Sequence, residues 1–467
     1  MRRMRSAVAS LSLSLAALLV APVALADAAT PHVAIAAQRS TLDNGLEVLV
    51  EENHRSPLVG IQLAYKVGSA DDPPGRKGMA RLVRDLLADP STRHVARKVQ
   101  GELFRALSVD RWPVSTDVGL DRTTVTFTVP TNELELALWW ESDQMGFGLD
   151  GMDQPALTER RDAIERQRQS ELERQPYGTL PAVVRNALWP SGHPYQGGVN
   201  GVAADLASVS VAELKSFVRS HYAPGNATLV LVGDVDAARA KDLVTKYFGP
   251  IAKQAPVTRT TAAPIALDAE KRVSVEAHVD AARLVIAWPS PALFAEGDTT
   301  LDATYHLLSD PHRGRLVKRL VTEMKVATEV TSRQRSWGLG SQFEIDVTLA
   351  SGHSPEEALK LVDEEIDRLK GSPPTEIEVN AVRQELVRNT AFGSETLQNR
   401  AGQIGYFNHH RGDPTFLDKY LTSYASLSAG EVQRVVSTVL ATKKRVVVMV
   451  TPNGAAPVGG RVVGGGS

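Results

Sequence analysis

Cysteine is absent from the 467-residue sequence, and so are several familiar catalytic signatures. Without cysteine the chain has no disulfide framework, no thiolate metal site and no cysteine nucleophile, so metal chemistry would have to use His, Asp and Glu. No G-x-S-x-G elbow, P-loop or Gly-rich dinucleotide fingerprint occurs, which removes local support for serine hydrolase, nucleotide and dehydrogenase chemistry. The 52 basic and 54 acidic residues give no global positive field for nucleic acid.

The composition that remains is that of an ordinary globular protein. The chain is 43% hydrophobic and 23% charged, which excludes a largely disordered chain and a polytopic membrane protein. A length of 467 residues predicts two to four domains, since a domain takes roughly 100–200 residues.

The first 26 residues are predicted to be a secretory signal peptide. Three arginines, at positions 2, 3 and 5, precede an uncharged apolar stretch that ends in an A-x-A site, with cleavage after Ala26 or Ala28. Removing the three arginines changes the net charge from −2 to −5. An uncleaved membrane anchor is the alternative, but no later stretch approaches the ~20 apolar residues that span a bilayer. We therefore expect an exported protein, periplasmic or secreted, with no stable membrane span after cleavage.

Two segments, 208–234 and 426–452, repeat the same plan. Each opens with an S-x-x-E capping box, at Ser210 and Ser428, continues as an amphipathic helix and ends in a buried strand. Matching cap, helix, loop and strand favour an internal duplication. Between the repeats, residues 251–267 are rich in Pro, Thr and Ala, a composition typical of an extended linker.

These features predict an α+β protein with two homologous domains, each an antiparallel sheet covered by long helices. The predicted boundaries are 1–26 for the signal peptide, 30–250 and 268–455 for the domains, 251–267 for the linker and 456–467 for a Gly-rich, disordered tail. In the first domain the periodicity predicts strands at 46–51, 59–67 and 123–129 and helices at 78–88, 133–145 and 155–173.

Several landmarks resemble the insulinase/pitrilysin-like metallopeptidases. They are, in chain order, NGLEVLVEENHRSPLVGIQLAYKVGSADDPPGRKGMARLVRDLL at 44–87, QPYG at 175–178, HPY at 193–195 and YAPGNATLVLVGDVD at 222–236. The resemblance covers most of the chain beyond the signal peptide. It implies that each chain of this length is half of a closed clamshell, the short form in which two such chains pair around a chamber.

The family binds zinc through H-x-x-E-H on a helix, where two His at i and i+4 ligate the metal and the Glu is the base. Aligned with that motif, the two His positions hold Arg81 and Asp85, and the Glu position holds Arg84. The third ligand of the family falls at about Gln167, while Glu165 is two residues out of register. Arginine has no lone pair to offer a metal, so we predict no catalytic residue and no zinc, and an Arg81–Asp85 ion pair instead.

The family also contacts the substrate backbone through an Arg and a Tyr in the second half. The corresponding residues are Val321 and Thr328, so the substrate-binding residues of this chain cannot be read from the resemblance. Arg313, Arg315 and Arg319 lie near these positions, and a solvated basic face is the simplest interpretation of them.

The sequence therefore predicts a non-catalytic subunit of a periplasmic insulinase-family zinc peptidase. It would form a heterodimer with a homologous chain that carries the zinc, and together they would enclose peptide substrates. The alternative is a stand-alone peptide-binding or scaffold protein of the cell envelope, without a peptidase partner. A third possibility is an active hydrolase that uses residues the pattern does not reveal.

Overall fold

The structure, a computed structural model, describes residues 32–88, 92, 94 and 114–465. The predicted signal peptide lies outside the described residues, so it stays a prediction. Within the described part of the chain, no helix is both long enough and apolar enough to cross a membrane.

Two six-stranded sheets form the two halves of the molecule, and they share one topology. The strand order is β1-β2-β6-β3-β5-β4 in the first sheet and β12-β7-β11-β8-β10-β9 in the second. The strands of the first sheet are β1 (Gln38–Thr41), β2 (Glu47–Glu52), β3 (Leu58–Tyr65), β4 (Ser115–Val118), β5 (Thr123–Pro130) and β6 (Ala227–Gly233). Those of the second are β7 (Lys271–Ala277), β8 (Arg283–Ser290), β9 (Ala327–Arg335), β10 (Ser341–Leu349), β11 (Val446–Pro452) and β12 (Arg461–Gly465).

Both sheets are mostly antiparallel and each contains one parallel pair. β2 runs parallel to β6, and β7 runs parallel to β11. The predicted α+β architecture is confirmed, and the parallel pairs refine the expectation of purely antiparallel sheets. They arise because β6 and β11 each return beside an early strand of the same half after a long helical excursion.

Helices connect the strands in both halves. Those of the first half are α1 (Met79–Ala88), α2 (Leu134–Phe147), α3 (Gln154–Leu172), α4 (Leu180–Leu188), α5 (Ala203–Ser208), α6 (Val211–His221) and α7 (Ala237–Phe248). Those of the second half are α8 (Asp298–Ser309), a π-helical turn (Val317–Glu323), α9 (Pro355–Gly371), α10 (Glu376–Phe392), α11 (Leu397–Arg411), α12 (Leu417–Ala425) and α13 (Ala429–Val439). The helices predicted for the first domain lie within one or two residues of α1, α2 and α3.

One helix of each half packs on the sheet of the other half. α11, from the second half, packs on β3 and β6 of the first sheet, where Ala401 and Ile404 join a buried cluster with Val230. α4, from the first half, packs on β8 and β11 of the second sheet, where Val184 and Leu188 are buried. This exchange buries the second face of both sheets, which explains why β6 is buried along its whole length.

Two hairpin turns meet where the halves touch. Asp121, in the β4–β5 turn, accepts hydrogen bonds from the backbone amide of Gly338 at 2.9 Å and from the Tyr195 hydroxyl. The same hydroxyl accepts from the amide of Leu339, in the β9–β10 turn, at 2.9 Å. The halves are thus joined by hydrogen bonds as well as by apolar packing.

Two local expectations need correction. The tail beyond residue 456 is not disordered throughout, because β12 pairs antiparallel with β7 and forms the edge of the second sheet. The capping box is complete at Ser210, but at Ser428 only the hydroxyl half is present. There the Glu431 carboxylate accepts a hydrogen bond from the Thr300 hydroxyl at 2.8 Å instead, which ties α13 to α8.

Candidate functional site

The candidate site is built on α1, whose first turn is held by a buried carboxylate. Asp72 is only 4% exposed and accepts hydrogen bonds from the backbone amides of Gly78 and Ala80, each at 2.7 Å. These amides are among the unpaired donors that every helix start presents. Burial raises the pKa of Asp72 to about 7, against the opposing effect of the two hydrogen bonds. The start of α1 is therefore fixed in place.

α1 is anchored by apolar side chains, and one cation is buried among them. Met79, Leu82, Val83 and Leu86 belong to the core of the first half. Arg81 is only 7% exposed. Because a buried charge is costly unless it is paired, the partners of Arg81 decide what this face of the helix can do.

A single carboxylate joins the two arginines of the degenerate motif. The Asp85 carboxylate lies 3.5 Å from Nε of Arg81 and 2.5 Å from Nη1 of Arg84. Nε of Arg84 also donates to the Thr116 carbonyl of the edge strand β4, at 3.1 Å. The predicted Arg81–Asp85 ion pair is confirmed, and Arg84 closes it into a three-residue cluster.

Asn200 connects this cluster to α3. Its side-chain oxygen accepts from Nη1 of Arg81 at 3.0 Å, and its amide nitrogen donates to the Glu171 carboxylate at 3.4 Å. The neighbouring Gly201 has φ +64°, and a Cβ there would lie 2.4 Å from Cα of Gly78. Only glycine allows the loop to approach the start of α1 closely enough for this contact.

Gln167 takes part in the same network through Glu171. Its amide nitrogen donates to the other Glu171 oxygen at 2.7 Å, one helical turn along α3. Glu165 lies apart, since its carboxylate accepts from Arg168 twice at 2.7 Å and from Gln169 at 3.0 Å. The four residues predicted at the motif positions are therefore brought together, either directly or through Asn200 and Glu171.

The donor set does not fit a zinc ion. Arg81 and Arg84 carry no lone pair, and the Asp85 carboxylate is already engaged by both guanidinium groups. Zinc peptidase sites need three nitrogen or oxygen ligands from the protein and an open position for water. Hydrogen-bonded positive charge fills the helix face instead, and no catalytic step can be derived through a metal there.

The positions of the family's Arg and Tyr lie away from this network. Val321 is in the π-helical turn and packs against the core of the second half, and the Thr328 hydroxyl, in β9, donates to the Thr348 carbonyl at 3.3 Å. The three nearby arginines do not form the solvated basic face that the sequence indicated, because each is paired. Their carboxylate partners are Asp310 and Glu385 for Arg313, Glu378 for Arg315, and Glu364 for Arg319.

Sequence reasoning missed Glu171, Asn200 and Thr116. Glu171 was accessible, because it stands four residues after Gln167 and such pairs meet on a helix. Asn200 and Thr116 carry no local signal, since a loop and an edge strand deliver them from elsewhere in the chain.

Two other groups of His and carboxylate side chains lie close together within the described residues. Glu52, His54 and Asp236 form an exposed group, and His306, Asp310 and Glu385 form a half-buried one. In the second group Arg313 pairs with both carboxylates. Neither group lies on the α1 face, and the second already holds a cation of the chain itself.

Residues 208–386 match the family model described as Peptidase M16 inactive domain. This part of the chain resembles the M16 peptidases. The match spans the end of the first half and much of the second, and it agrees with the insulinase/pitrilysin-like resemblance of the landmarks. The zinc protease PqqE of Helicobacter pylori is 22% identical over 405 residues, which covers 85% of this chain and 88% of that protein.

Solved structures of M16 proteins share the fold. A peptidase M16 inactive domain from Pseudomonas fluorescens superposes with a TM-score of 0.80 at 18% identity, covering 90% of this chain and 99% of that one. The periplasmic protease PqqL of Escherichia coli superposes with a TM-score of 0.72 at 14% identity, over 89% of this chain but only 48% of PqqL. The chain therefore matches about half of the longer PqqL chain.

Proposed function

We propose that this chain is a non-catalytic subunit of an M16-type zinc peptidase. It pairs with a homologous chain that carries an intact H-x-x-E-H motif, and the two enclose and bind peptide substrates. The observation that carries the proposal is the Arg81–Asp85–Arg84 cluster, which occupies the helix face where the family holds zinc. The chain itself needs no zinc for this role.

The pairing rests on size and on charge. PqqL is a single chain of about twice the matched length, so a chain of this size supplies one of two such units. A helix face closed by ion pairs cannot activate water, but it can form one wall of a shared chamber. A partner with the intact motif would supply the chemistry, because its two His would hold zinc and its Glu would act as the base toward water.

Export to the periplasm is part of the same proposal. The basic start, apolar stretch and A-x-A site of residues 1–26 support it, and so does the name of PqqL as a periplasmic protease. Fractionation of cells that express the full chain tests this point: the chain is expected in the periplasmic fraction, shortened by 26 or 28 residues.

Co-expression with a zinc-motif homologue from the same genome tests the pairing. We expect one copy of each chain to elute together in size-exclusion chromatography with light scattering, and cleavage of a quenched peptide to require both. Replacing the motif Glu of the partner by Gln should abolish cleavage without dissociating the complex. The proposal would be excluded if the two chains eluted separately and the partner cleaved the peptide equally well with and without this chain.

A second candidate is a stand-alone peptide-binding or scaffold protein of the cell envelope. The loss of the family's Arg and Tyr, at Val321 and Thr328, favours it, because a chain that assists no peptidase has no use for those residues. It predicts a stable monomer or homodimer in the same experiment. Turnover of the quenched peptide by the isolated chain, with stoichiometric metal, would contradict both candidates and indicate a hydrolase.

A further inference from the structure

A basic cavity lies beside the α1 network, between α4 and the second sheet. It encloses about 480 Å3 and is lined by four arginines and two carboxylates. Tyr177, Trp189 and Trp337 contribute aromatic walls. We call it the arginine cavity, after its charged residues Arg185, Arg283, Arg333 and Arg335, which face Glu344 and Asp346.

Two of the four arginines are compensated within the cavity. Arg283 makes a two-pronged ion pair with Asp346, at 2.6 and 2.7 Å, and also stacks on the Tyr177 ring. Arg335 lies 3.9 Å from Glu344. Four arginines face two carboxylates, so the cavity keeps an excess of positive charge.

Arg185 is a cation held in place without a carboxylate partner among the described residues. Its Nε donates to the Gln196 carbonyl at 3.1 Å. Its guanidinium lies against Gly198, which has φ +61° and whose Cβ would come within 2.4 Å of Cζ of Arg185. Burial lowers the pKa of Arg185 below its ordinary value. A positioned and partly desolvated guanidinium is the group that proteins use to bind carboxylates.

The other half of the molecule supplies an internal comparison. Where α11 covers the first sheet, a cavity of about 460 Å3 occupies the corresponding place, lined by Ser115 and Thr126. Ser115 pairs with Thr126, and Arg333 pairs with Glu344, at the same distance from their hairpin turns. The first-half cavity contains a single arginine, Arg122. The fold therefore does not require a basic lining at this place.

The arginine cavity is connected to the α1 network through Asn200. This residue lines the cavity, and its side chain bonds both Arg81 and Glu171. A group bound in the cavity thus lies beside the face where the family holds zinc. A peptide that passes this face can place one side chain or its terminus among the arginines.

We propose that the arginine cavity binds a carboxylate of a peptide, either an acidic side chain or the free C-terminus. The proposal rests on the peptide-binding role proposed above and gives it a specificity. The aromatic walls suit the apolar part of a peptide, while Arg185 and Arg333 pair with its carboxylate. The cavity would thereby select which peptides the subunit presents.

Fluorescence anisotropy with three matched nonapeptides tests the proposal. One has a central Glu and an amidated C-terminus, the second has Gln in place of Glu, and the third has Gln with a free C-terminus. We expect the first, the third or both to bind at least tenfold more tightly than the second, which identifies the source of the carboxylate. Equal binding of all three would overturn the arginine cavity as a carboxylate site while leaving peptide binding intact.

Two cavity variants and one control locate the effect. Arg185→Gln and the more exposed Arg333→Gln should each reduce the preference for the carboxylate peptide at least threefold. Arg434→Gln, which removes a charge from an exposed pair with Glu296, should keep it. Thermal unfolding of each variant checks that it folds. If Arg185→Gln does not fold, Arg333→Gln still tests the proposal. The proposal would be overturned if both cavity variants kept the preference, or if inorganic phosphate bound more tightly than any peptide. The absence of any peptide binding would overturn both this proposal and the proposed function.

Discussion

Nε of Arg81 lies 3.5 Å from the carboxylate of Asp85, one helical turn away on α1. The resemblance to the insulinase/pitrilysin-like family predicts that these two residues stand where that family holds its pair of zinc-binding His. The same i and i+4 geometry that lets two imidazoles meet at one metal here lets a cation meet an anion. Positions i and i+4 on one helix face can therefore form either a metal site or an ion pair.

Removing the central carboxylate should destabilise the first half. Asp85→Ala leaves Arg81 buried without its charged partner, and breaking such a pair costs several kcal/mol when it is deeply buried. Because the Asp85 side chain is 17% exposed, we expect a loss of about 2–3 kcal/mol in the free energy of unfolding. Urea unfolding measures it. The double variant Arg81→Met, Asp85→Leu should recover most of the lost free energy of unfolding. If Asp85→Ala has the same free energy of unfolding as the wild type, the pair contributes nothing to stability.

Restoring the motif should restore metal binding. A variant with Arg81→His, Arg84→Glu, Asp85→His and Gln167→Glu supplies the ligand types and spacing of the family on the existing helices. We expect about one equivalent of zinc by mass spectrometry after stripping and reloading, against none for the wild-type chain. The matched control keeps Gln167 and should bind at least tenfold more weakly. Stoichiometric zinc on the wild-type chain would contradict the proposed non-catalytic role.

The exchange of helices between the halves should make the chain unfold as one unit. Arg400, on α11, makes a two-pronged ion pair with Glu51 of β2, both bonds at 2.6 Å, and Glu51 is 6% exposed. Glu51→Ala removes the anion and leaves Arg400 half-buried, which should cost about 3 kcal/mol. Lys419→Ala breaks an exposed pair with Asp413 and should cost less than about 0.5 kcal/mol. Calorimetry should show a single lowered transition for Glu51→Ala; two separate transitions would contradict the coupling of the halves.

Glu141 should make the protein less stable as the pH rises. Its side chain is buried in α2, one oxygen has no hydrogen-bond partner, and burial raises the pKa to about 8. The folded chain holds this proton up to about pH 8, whereas the unfolded chain releases it near the ordinary value. The resulting stability is therefore complete below the unfolded pKa and is lost as the pH rises through about 8.

Glu141→Gln cannot ionise, so the variant should gain stability relative to the wild type between pH 5 and pH 9, by a few kcal/mol in total. Unfolding in urea at several pH values measures the difference. Glu135→Gln is the control, because the pKa of Glu135 is lowered by its bonds to Lys246 and Tyr247 and its contribution stays level in this range. If the free energies of unfolding of the wild type and of Glu141→Gln differed by the same amount at every pH in this range, ionisation of Glu141 would be excluded as the cause.

Much of the fold follows from local patterns. Apolar periodicity predicted three strands and three helices of the first half, because one buried face per element is enough to specify its type. The repeated cap, helix and strand predicted the duplication, and the loop before the strand differs by only one residue between the two copies. The exchange of α4 and α11 was not predicted, since an amphipathic helix looks the same whichever sheet it covers.

For the site, the sequence by itself determined that Arg81 would pair with Asp85, and the resemblance to the family predicted that these residues stand where zinc ligands would be. That pairing is set by helical geometry, so chain spacing was sufficient. Only the tertiary structure decided that Asn200, Glu171 and Thr116 complete the network, and that four arginines from α4, β8 and β9 share one cavity. These contacts join residues far apart in the chain, and their energy depends on burial and distance, which the order of residues does not specify.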